Sequence, residues 1–379
     1  MKSKVTKRLL KIGSLLLALI LCVMFLQEFV LCHGDHNRER IKGFYLEQKD
    51  SVDVLFVGAS EVYSGFSSPY AYSKYGFTSY PLATQSNTMF NYLACVKEAV
   101  RTQHPKLLVI EINGALYDND TFVNNDSSLR NVSDNLPLNA SKVELVKKIA
   151  TSDEAEYYFP IIKYHSVWEN FPEGVNWNLS IIMSKLRGYN LLKGTKSKTT
   201  IFHYKNKIYN NELDNFNENI PMEKEYEQAL VELLEYCKNN DLNVLFTRFP
   251  HIIAKNNLDR YQRSLYAKEI IKEYGFDYIE FDDKFDEIGI DYKHDFYNIE
   301  HLNLYGQIKL TDYLSRYLIE NYNLEKSDLT DSEQKEWEES ARYYDAFCKL
   351  YDDLIANGEI GKELGENFKT IQILKKYID

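Results

Sequence analysis

The stretch Asp53–Glu61, with the sequence DVLFVGASE, decides the fold that we expect for this chain of 379 residues. The apolar run Val52–Val57 predicts a buried strand, and Gly58 and Ala59 allow the sharp turn that follows it. This turn would place the hydroxyl of Ser60 at the carboxyl end of a parallel strand. Open α/β sheets build their ligand sites at that edge.

A second informative segment lies far downstream. Asn298–Asn303 reads NIEHLN and supplies His301 just before a predicted helix. A serine hydroxyl attacks a carbonyl poorly unless a base takes its proton, so a distant histidine completes the minimum set for acyl transfer. The alternative for Ser60 is a helix cap, and the alternative for His301 is an ordinary loop histidine.

Predicted strands and helices alternate along most of the chain. The strands are Val52–Val57, Ser79–Ala83, Leu107–Ile112, Asn243–Phe249 and Asp277–Phe281. The helices are Ser67–Tyr75, Thr88–Gln103, Glu223–Asn240, Leu258–Tyr274 and Leu304–Asn321. This alternation predicts an α/β fold, a three-layer α/β/α sandwich around a mostly parallel sheet.

The chain divides into four predicted segments. Residues 1–32 form a basic flank and a signal anchor, and residues 33–49 form a polar connector. Residues 50–322 form the α/β domain, with a partly helical insertion at about 113–221 packed over the carboxyl edge of the sheet. Residues 323–379 form a charged, helical C-terminal appendage.

The N-terminus predicts a membrane anchor. Five basic residues precede the uncharged run Ile12–Gln27, which would span a bilayer with help from the apolar residues after Glu28. The basic flank favours a cytoplasmic N-terminus, so we expect a single-pass cell-membrane protein whose main domain is extracytoplasmic. A cleaved signal peptide is the alternative, but no small-x-small motif follows the run and Cys32 lacks the small residue that a lipoprotein site requires.

Charge and cysteine usage narrow the class of protein. The net charge is −11, and without residues 1–32 it becomes −15, from 40 basic and 55 acidic residues. An acidic domain disfavours nucleic acid and favours a neutral or mixed glycan over a strongly phosphorylated polymer. The five cysteines show no metal or redox spacing and their number is odd, so we expect no disulfide framework. The sequence has no metal-ligand cluster and no nucleotide-binding fingerprint, so we expect no metal or cofactor.

Two motifs carry a resemblance to a known family. The turn VGASE after an apolar strand and the block H-L-N-x-x-G at 301–306 resemble the SGNH (GDSL-type) hydrolase superfamily, over residues 50–322. The similarity is greatest to its membrane-anchored cell-surface branch, which includes the D-alanyl-lipoteichoic acid D protein and polysaccharide O-acetyl transfer proteins. It implies an acyl-Ser60 intermediate, with His301 acting first as a base and then as an acid.

The chain departs from the family pattern beside the histidine. In the resembled families an Asp three residues before this His orients its ring, whereas Asn298 occupies that position here. An amide can hold an imidazole but does not stabilise an imidazolium as a carboxylate does. Asp295, six residues before His301, would take over if the loop had a different shape.

The predicted oxyanion hole also departs from the pattern. Backbone N–H groups of Ser60 and Glu61 are expected to contribute to it. The family adds a glycine after the second strand, but this loop has none, and Gln85 is the expected substitute, with Asn87 as an alternative. Asn113 follows the third strand and is a candidate amide donor, with a simple turn residue as the alternative.

Two charged residues complete the candidate site. Glu61 is either a carboxylate that favours the start of a helix or a polar group that lines the site. Arg248, at the end of a later strand, is a candidate for substrate binding, with a solvated loop residue as the alternative.

Two hypotheses of different classes follow. The first is a membrane-anchored serine esterase or O-acyltransferase acting on a cell-envelope or secreted polysaccharide. For a transferase, the resemblance implies a multipass membrane acyltransferase that delivers the acyl group to a glycan or an acylated carrier. The second is a catalytically weak relative that binds glycan or scaffolds a polysaccharide-modification complex.

Overall fold

A five-stranded sheet lies at the centre of the structure, a computed structural model that describes residues 2–26, 36–118, 126–164, 166, 171–357, 374, 377 and 378. Its strands are Val54–Gly58 (β1), Ser79–Ala83 (β2), Leu107–Glu111 (β3), Val244–Arg248 (β4) and Asp277–Glu280 (β5). They lie in the order β2-β1-β3-β4-β5, and each neighbouring pair is parallel. The chain passes from β1 to β2 on one side and then to β3 on the other side of β1. This reversal creates a crevice beyond the carboxyl ends of β1 and β3, where open α/β sheets bind ligands.

Helices connect the strands and make up most of the rest of the described chain. In chain order they are Lys2–Phe25 (α1), His36–Phe44 (α2), Ser60–Gly65 (α3), Ser68–Tyr75 (α4), Met89–Gln103 (α5), Asp126–Ser133 (α6), Ala140–Ile149 (α7), Glu154–Tyr158 (α8), Pro160–Lys163 (α9), Phe171–Arg187 (α10), Lys224–Asn239 (α11), Leu258–Glu273 (α12), Phe285–Ile288 (α13), Leu304–Tyr322 (α14) and Asp331–Ala356 (α15). A short antiparallel pair, Phe296–Asn298 (β6) and His301–Leu302 (β7), precedes α14.

Each face of the sheet packs against its own layer of helices. On one face Leu55 and Val57 of β1 belong to a core shared with α5, α11 and α12. On the other face Val54 and Phe56 belong to a core shared with α3 and α14. The predicted α/β sandwich is therefore confirmed, and each of the five predicted strands lies within two residues of its predicted bounds.

The helix α2 lies where the sequence predicts a polar connector. Phe44 is buried in the core with Tyr80 of β2, and the Tyr80 hydroxyl donates a hydrogen bond to the carbonyl oxygen of Arg40 at 2.8 Å. The guanidinium of Arg40 donates to the Ala83 carbonyl oxygen at 3.2 Å and is itself buried. The structure differs from the prediction because Arg40, a charged residue that suggests solvent exposure, bonds to backbone carbonyl oxygens inside the domain.

The insertion is partly helical, but only part of it lies at the carboxyl edge of the sheet. Its helices α6 and α7 pack beside α5, where Leu129 and Val146 extend the core of that face. A later, extended segment does reach the edge. The N–H of Lys196 donates to the Tyr63 carbonyl oxygen at 2.9 Å, and the N–H of Leu304 donates to the Lys198 carbonyl oxygen at 2.7 Å.

The C-terminal helix α15, in the predicted helical appendage, packs against the α/β domain over its described length. It packs on α4 and α14, and its residues Trp337 and Tyr344 are fully buried. The Tyr344 hydroxyl donates to Gln307 Oε1 of α14 at 3.0 Å. Its N-terminus carries a capping box formed by Thr330 and Glu333. Most of the predicted appendage after residue 357 lies outside the described residues.

The N-terminal helix α1 is apolar enough to cross a membrane from Lys4 to Phe25, and none of its apolar window is buried against the rest of the structure. A membrane anchor and a signal sequence both have this character. Residues 27–32 of the predicted anchor lie outside the described residues.

Candidate active site

Ser60 is the first residue of α3, directly after β1 and the turn at Gly58 and Ala59. A Cβ on Gly58 would collide with the Val62 side chain and lie 2.9 Å from Cβ of Glu111, so glycine is required for α3 to begin this close to β3. Ala59, not Ser60, occupies the cap position of the helix, and it makes no side-chain cap bond. The Ser60 hydroxyl is therefore not used as a helix cap and is available for another partner.

His301 is placed by β7 and by the start of α14. Asn303 caps α14, with its Oδ1 accepting from the N–H groups of Tyr305 and Gly306 at 3.0 and 3.3 Å. A Cβ on Gly306 would collide with the carbonyl oxygen of Asp295. These contacts give a physical reason for Asn303 and Gly306 in the block H-L-N-x-x-G, because together they hold the loop that carries the imidazole.

The structure brings Ser60 and His301 into hydrogen-bond contact across 241 residues of sequence. His301 Nε2 lies 2.7 Å from Ser60 Oγ, and His301 Nδ1 lies 2.8 Å from Asn298 Oδ1. The same Asn298 oxygen accepts from the Glu300 N–H at 2.9 Å, which identifies it as the amide oxygen. Because this oxygen can only accept, Nδ1 carries the imidazole proton and Nε2 is free to accept the Ser60 proton.

Asp295 does not support the histidine. It is fully buried, and its carboxylate accepts from the Asp291 N–H at 2.7 Å and from Lys309 Nζ at 2.6 Å. The alternative in which Asp295 orients His301 is wrong, because the antiparallel pair β6–β7 places Asn298 opposite His301. Asp295 instead stabilises the loop that precedes β6.

Burial lowers the pKa of His301, although the negative charges of Glu61 and Glu300 oppose this effect. The ring of Tyr297 stacks on the imidazole, with centroids 5.1 Å apart, and Lys198 Nζ lies 4.5 Å from the centroid of the Tyr297 ring. A neutral imidazole at neutral pH is the form that can act as a general base.

Asn113 lies beside the nucleophile, but its amide is already engaged. Its Nδ2 donates to Glu61 Oε1 at 2.6 Å and lies 3.4 Å from the Tyr117 hydroxyl. Glu61 is buried beside Ser60 and lies in the first turn of α3, so its position agrees with both of its predicted roles. The structure therefore places Asn113 against a carboxylate, where the sequence predicts an oxyanion donor.

Arg248 is fully buried and does not face the crevice. Its Nε donates to Asp282 Oδ2 at 2.6 Å, and Asp282 Oδ1 accepts from the His251 N–H at 2.6 Å. The prediction that Arg248 binds substrate is wrong, because a strand-end arginine here neutralises a buried carboxylate instead of projecting outward. His251 links this pair to the site, since its Nε2 lies 3.8 Å from Glu61 Oε1.

Gln85 is exposed, and its hydrogen bonds to other described residues involve its backbone. Its N–H donates to Asn37 Oδ1 at 2.7 Å, and its carbonyl oxygen accepts from Asn131 Nδ2 at 2.8 Å. The alternative residue of the same loop, Asn87, is buried and donates to the Gly58 carbonyl oxygen at 3.0 Å. Asn87 thus helps to hold the turn before Ser60, and Gln85 is not placed as an oxyanion donor.

Three residues of the site were not among the sequence candidates. Glu111 falls inside the predicted strand Leu107–Ile112, and no sequence motif marks Tyr297. Asp282 follows the last predicted strand, so a polar residue at a strand end was the only available signal.

Glu111 gives the folded protein a specific pH dependence. Burial and the nearby Glu61 carboxylate raise the pKa of Glu111 from 4.5 to about 8. Between these values the folded state keeps a proton that the unfolded chain releases, so rising pH lowers the free energy of unfolding, by about 1.4 kcal/mol for each unit of pKa difference.

We expect Glu111→Gln to remove this pH dependence of stability, because glutamine does not titrate. The fold should be kept, since the glutamine Oε1 can still accept from the Asn113 N–H, which lies 2.9 Å from Glu111 Oε1. Relative to the unmodified chain, the variant should gain stability as the pH rises from 5 to 8. Urea unfolding of the detergent-solubilised chain at both pH values measures this gain, with the exposed Glu235→Gln as the control. Equal pH slopes for Glu111→Gln and the unmodified chain would contradict the assignment.

Comparison with known proteins adds little to this geometry. No protein-family model matches the sequence. No curated protein matches it either. A crystal structure from Bacteroides fragilis, provisionally described as an acylhydrolase, matches at 11% sequence identity with a TM-score of 0.35, covering 75% of this chain and 96% of that chain. Similarity at this level bears on neither fold nor activity.

Proposed function

We propose that this chain is a serine esterase or O-acyltransferase that works through an acyl-Ser60 intermediate. The observation that carries the proposal is the 2.7 Å contact between Ser60 Oγ and His301 Nε2 at the reversal point of a parallel sheet. The Asn298 amide oxygen fixes the imidazole tautomer that this chemistry needs.

The reaction has two halves. In the first, Ser60 Oγ attacks the ester carbonyl carbon while His301 Nε2 takes the hydroxyl proton. The tetrahedral intermediate collapses, the alcohol leaves with that proton, and the acyl group stays on Ser60. In the second, His301 takes a proton from water or from an acceptor hydroxyl, which attacks the acyl group, and then returns the proton to Ser60 Oγ.

Stabilisation of the oxyanion falls mainly to the start of α3. The first N–H groups of an α-helix have no acceptor within the helix, and Ser60 is the first residue of α3. The backbone N–H groups of Ser60 and Glu61 are therefore the candidate oxyanion donors, and Asn113 Nδ2 is engaged by Glu61. Since one donor is worth about 10²- to 10³-fold in rate, a short oxyanion hole favours slow turnover.

The second candidate function is a catalytically weak protein that binds glycan or scaffolds a modification complex. The observation that favours it is the engagement of the Asn113 amide by Glu61 at 2.6 Å, which removes the expected side-chain donor from the oxyanion hole. The neutral Asn298 beside His301 acts in the same direction.

The cellular setting completes the proposal. The apolar helix from Lys4 to Phe25 supports anchoring in the cell membrane, with the domain on the extracytoplasmic side. The motif resemblance supports a polysaccharide of the cell envelope, or a secreted one, as the acceptor. For a transferase, it also supports a multipass membrane acyltransferase as the partner that supplies the acyl group.

Covalent capture tests the proposal directly. We expect a fluorophosphonate probe to modify the full-length chain in detergent at Ser60, as located by peptide mass spectrometry, and the chain to hydrolyse p-nitrophenyl acetate. A heat-denatured sample should show neither reaction, because the contact with His301 is lost. Absence of both the adduct and turnover in the folded chain would favour the binding or scaffold function.

A further inference from the structure

Proton transfer from Ser60 creates a positive charge on His301 that Asn298, the partner of His301, does not balance. When His301 takes the Ser60 proton, an imidazolium forms on a residue that is only 9% exposed. A buried cation requires a nearby negative charge. Asn298 can orient the ring through Nδ1, but an amide carries no charge. The balancing carboxylate must therefore come from elsewhere in the site.

Two carboxylates act on His301 in the direction that favours the cation. The charged or titratable groups facing the imidazole are Glu61 of α3, Glu300 beside β7, His251 after β4 and Lys198 of the insertion, with the Tyr297 ring stacked on it. Glu300 is one-third exposed and pairs with Arg260 at 2.7 Å, so solvent and the guanidinium both reduce its effect. Glu61 is buried, directly follows Ser60 and is the carboxylate with the greater influence on His301.

Surrounding donors keep Glu61 ionised despite its burial. Asn113 Nδ2 donates to Oε1 at 2.6 Å, and His251 Nε2 lies 3.8 Å from the same oxygen. His251 Nδ1 lies 2.6 Å from the Phe249 carbonyl oxygen, which can only accept, so this nitrogen carries a proton. The carboxylate of Asp282, 3.4 Å from Nδ1, then favours the doubly protonated ring.

The pKa directions agree with this arrangement. Burial opposes both charged forms, but contact with Asp282 and Glu61 raises the pKa of His251, and the two histidines lower the pKa of Glu61. The other groups facing Glu61 are Glu111, Tyr92 and Tyr117. Burial raises the pKa of all three, so they stay neutral at neutral pH and do not compete for the charge.

We propose that Glu61 is a positioning residue that supplies the negative charge for the His301 imidazolium, the part that an aspartate plays when it occupies the place of Asn298. The carboxylate thus belongs to the residue that follows the nucleophile, and the Asn298 amide holds the ring through Nδ1. This role rests on the proposed function of Ser60 and His301. It also explains the buried series of contacts from Arg248 through Asp282 to His251, which keeps Glu61 ionised.

The test is the pH profile of Glu61→Gln, measured on the full-length chain in detergent with p-nitrophenyl acetate and with the fluorophosphonate probe. Loss of the carboxylate should lower the plateau of kcat/KM by about ten- to a hundredfold and move its acidic limb down by about one pH unit. Glu300→Gln should move the limb less. Adding Asn298→Asp to Glu61→Gln should move the limb back up and recover rate, which a merely structural defect would not permit.

Asn298→Asp alone provides a second test that does not depend on the folding of Glu61→Gln. If Glu61 already supplies the charge, this variant should gain less than about tenfold in kcat/KM, against the roughly 10⁴-fold effect of the equivalent exchange in a serine protease. A gain approaching that size would overturn the role of Glu61. So would an acidic limb of the kcat/KM profile that does not move in Glu61→Gln while the probe still labels Ser60. An unmodified chain that captures no probe at Ser60 would overturn the proposed function itself.

Discussion

Ser60→Ala is expected to abolish fluorophosphonate capture and to lower ester hydrolysis by about three orders of magnitude or more, because no acyl-enzyme can form without the hydroxyl. His301→Ala should lower kcat/KM by about 10²- to 10⁴-fold, since the Ser60 proton then has no acceptor 2.7 Å away. Because both residues act in one step, the double variant should be no slower than Ser60→Ala alone. Initial rates with p-nitrophenyl acetate measure all three.

His294→Ala is the matched control for the loss of an imidazole. It lies in the same loop, is about half exposed and contacts Asp295 rather than Ser60. Its activity should stay close to that of the unmodified chain. If His294→Ala and His301→Ala lost activity equally, the effect would reflect loop disruption, and the assignment of His301 as the base would fail.

Trp337→Ala is expected to lower the free energy of unfolding by about 3–5 kcal/mol, the usual cost of removing a fully buried aromatic side chain. Trp337 is 1% exposed, its ring centroid lies 5.2 Å from that of Tyr72, and Lys193 Nζ lies 4.6 Å from its centroid. Lys193 in turn bonds Glu47 at 2.7 Å in a buried ion pair. Removing the indole would therefore leave a cavity and also bring water to this pair.

Urea or thermal unfolding of the chain in detergent measures this loss. Glu338→Ala is the neighbouring control, because that side chain is exposed and should change stability by less than about 0.5 kcal/mol. Equal stabilities for Trp337→Ala and Glu338→Ala would mean that the packing of α15 on the domain contributes little to the free energy of unfolding.

The central sheet was predictable because buried parallel strands have a simple signature. Each strand is a short apolar run bounded by turn residues, and burial of both faces removes the need for alternation. The run before Gly58 shows this signature, and so does Leu107–Glu111. The burial of α2 has no such signature, because the charged Arg40 finds its acceptors, the Ala83 and Gly194 carbonyl oxygens, far away in sequence.

The contact between Ser60 and His301 could be predicted as a pair, but the partner of the histidine could not. Asn298 and Asp295 are both close enough in sequence, and only the shape of the β6–β7 turn decides between them. The charged residues beneath the site were harder still. Arg248 looks like a surface residue in sequence, and its burial depends on Asp282, whose position is set by the packing of β4 against β5.

The burial of α2 limits how far this protein could work from a membrane. Ten residues separate Phe25 at the end of α1 from His36 at the start of α2. Fully extended, ten residues span at most about 36 Å. Since α2 is fixed in the domain, these ten residues are the whole linker between the domain and an anchor formed by α1. Its working range would be a thin shell above the bilayer, so growing or newly exported polymers would be within reach and the distant layers of an envelope would not.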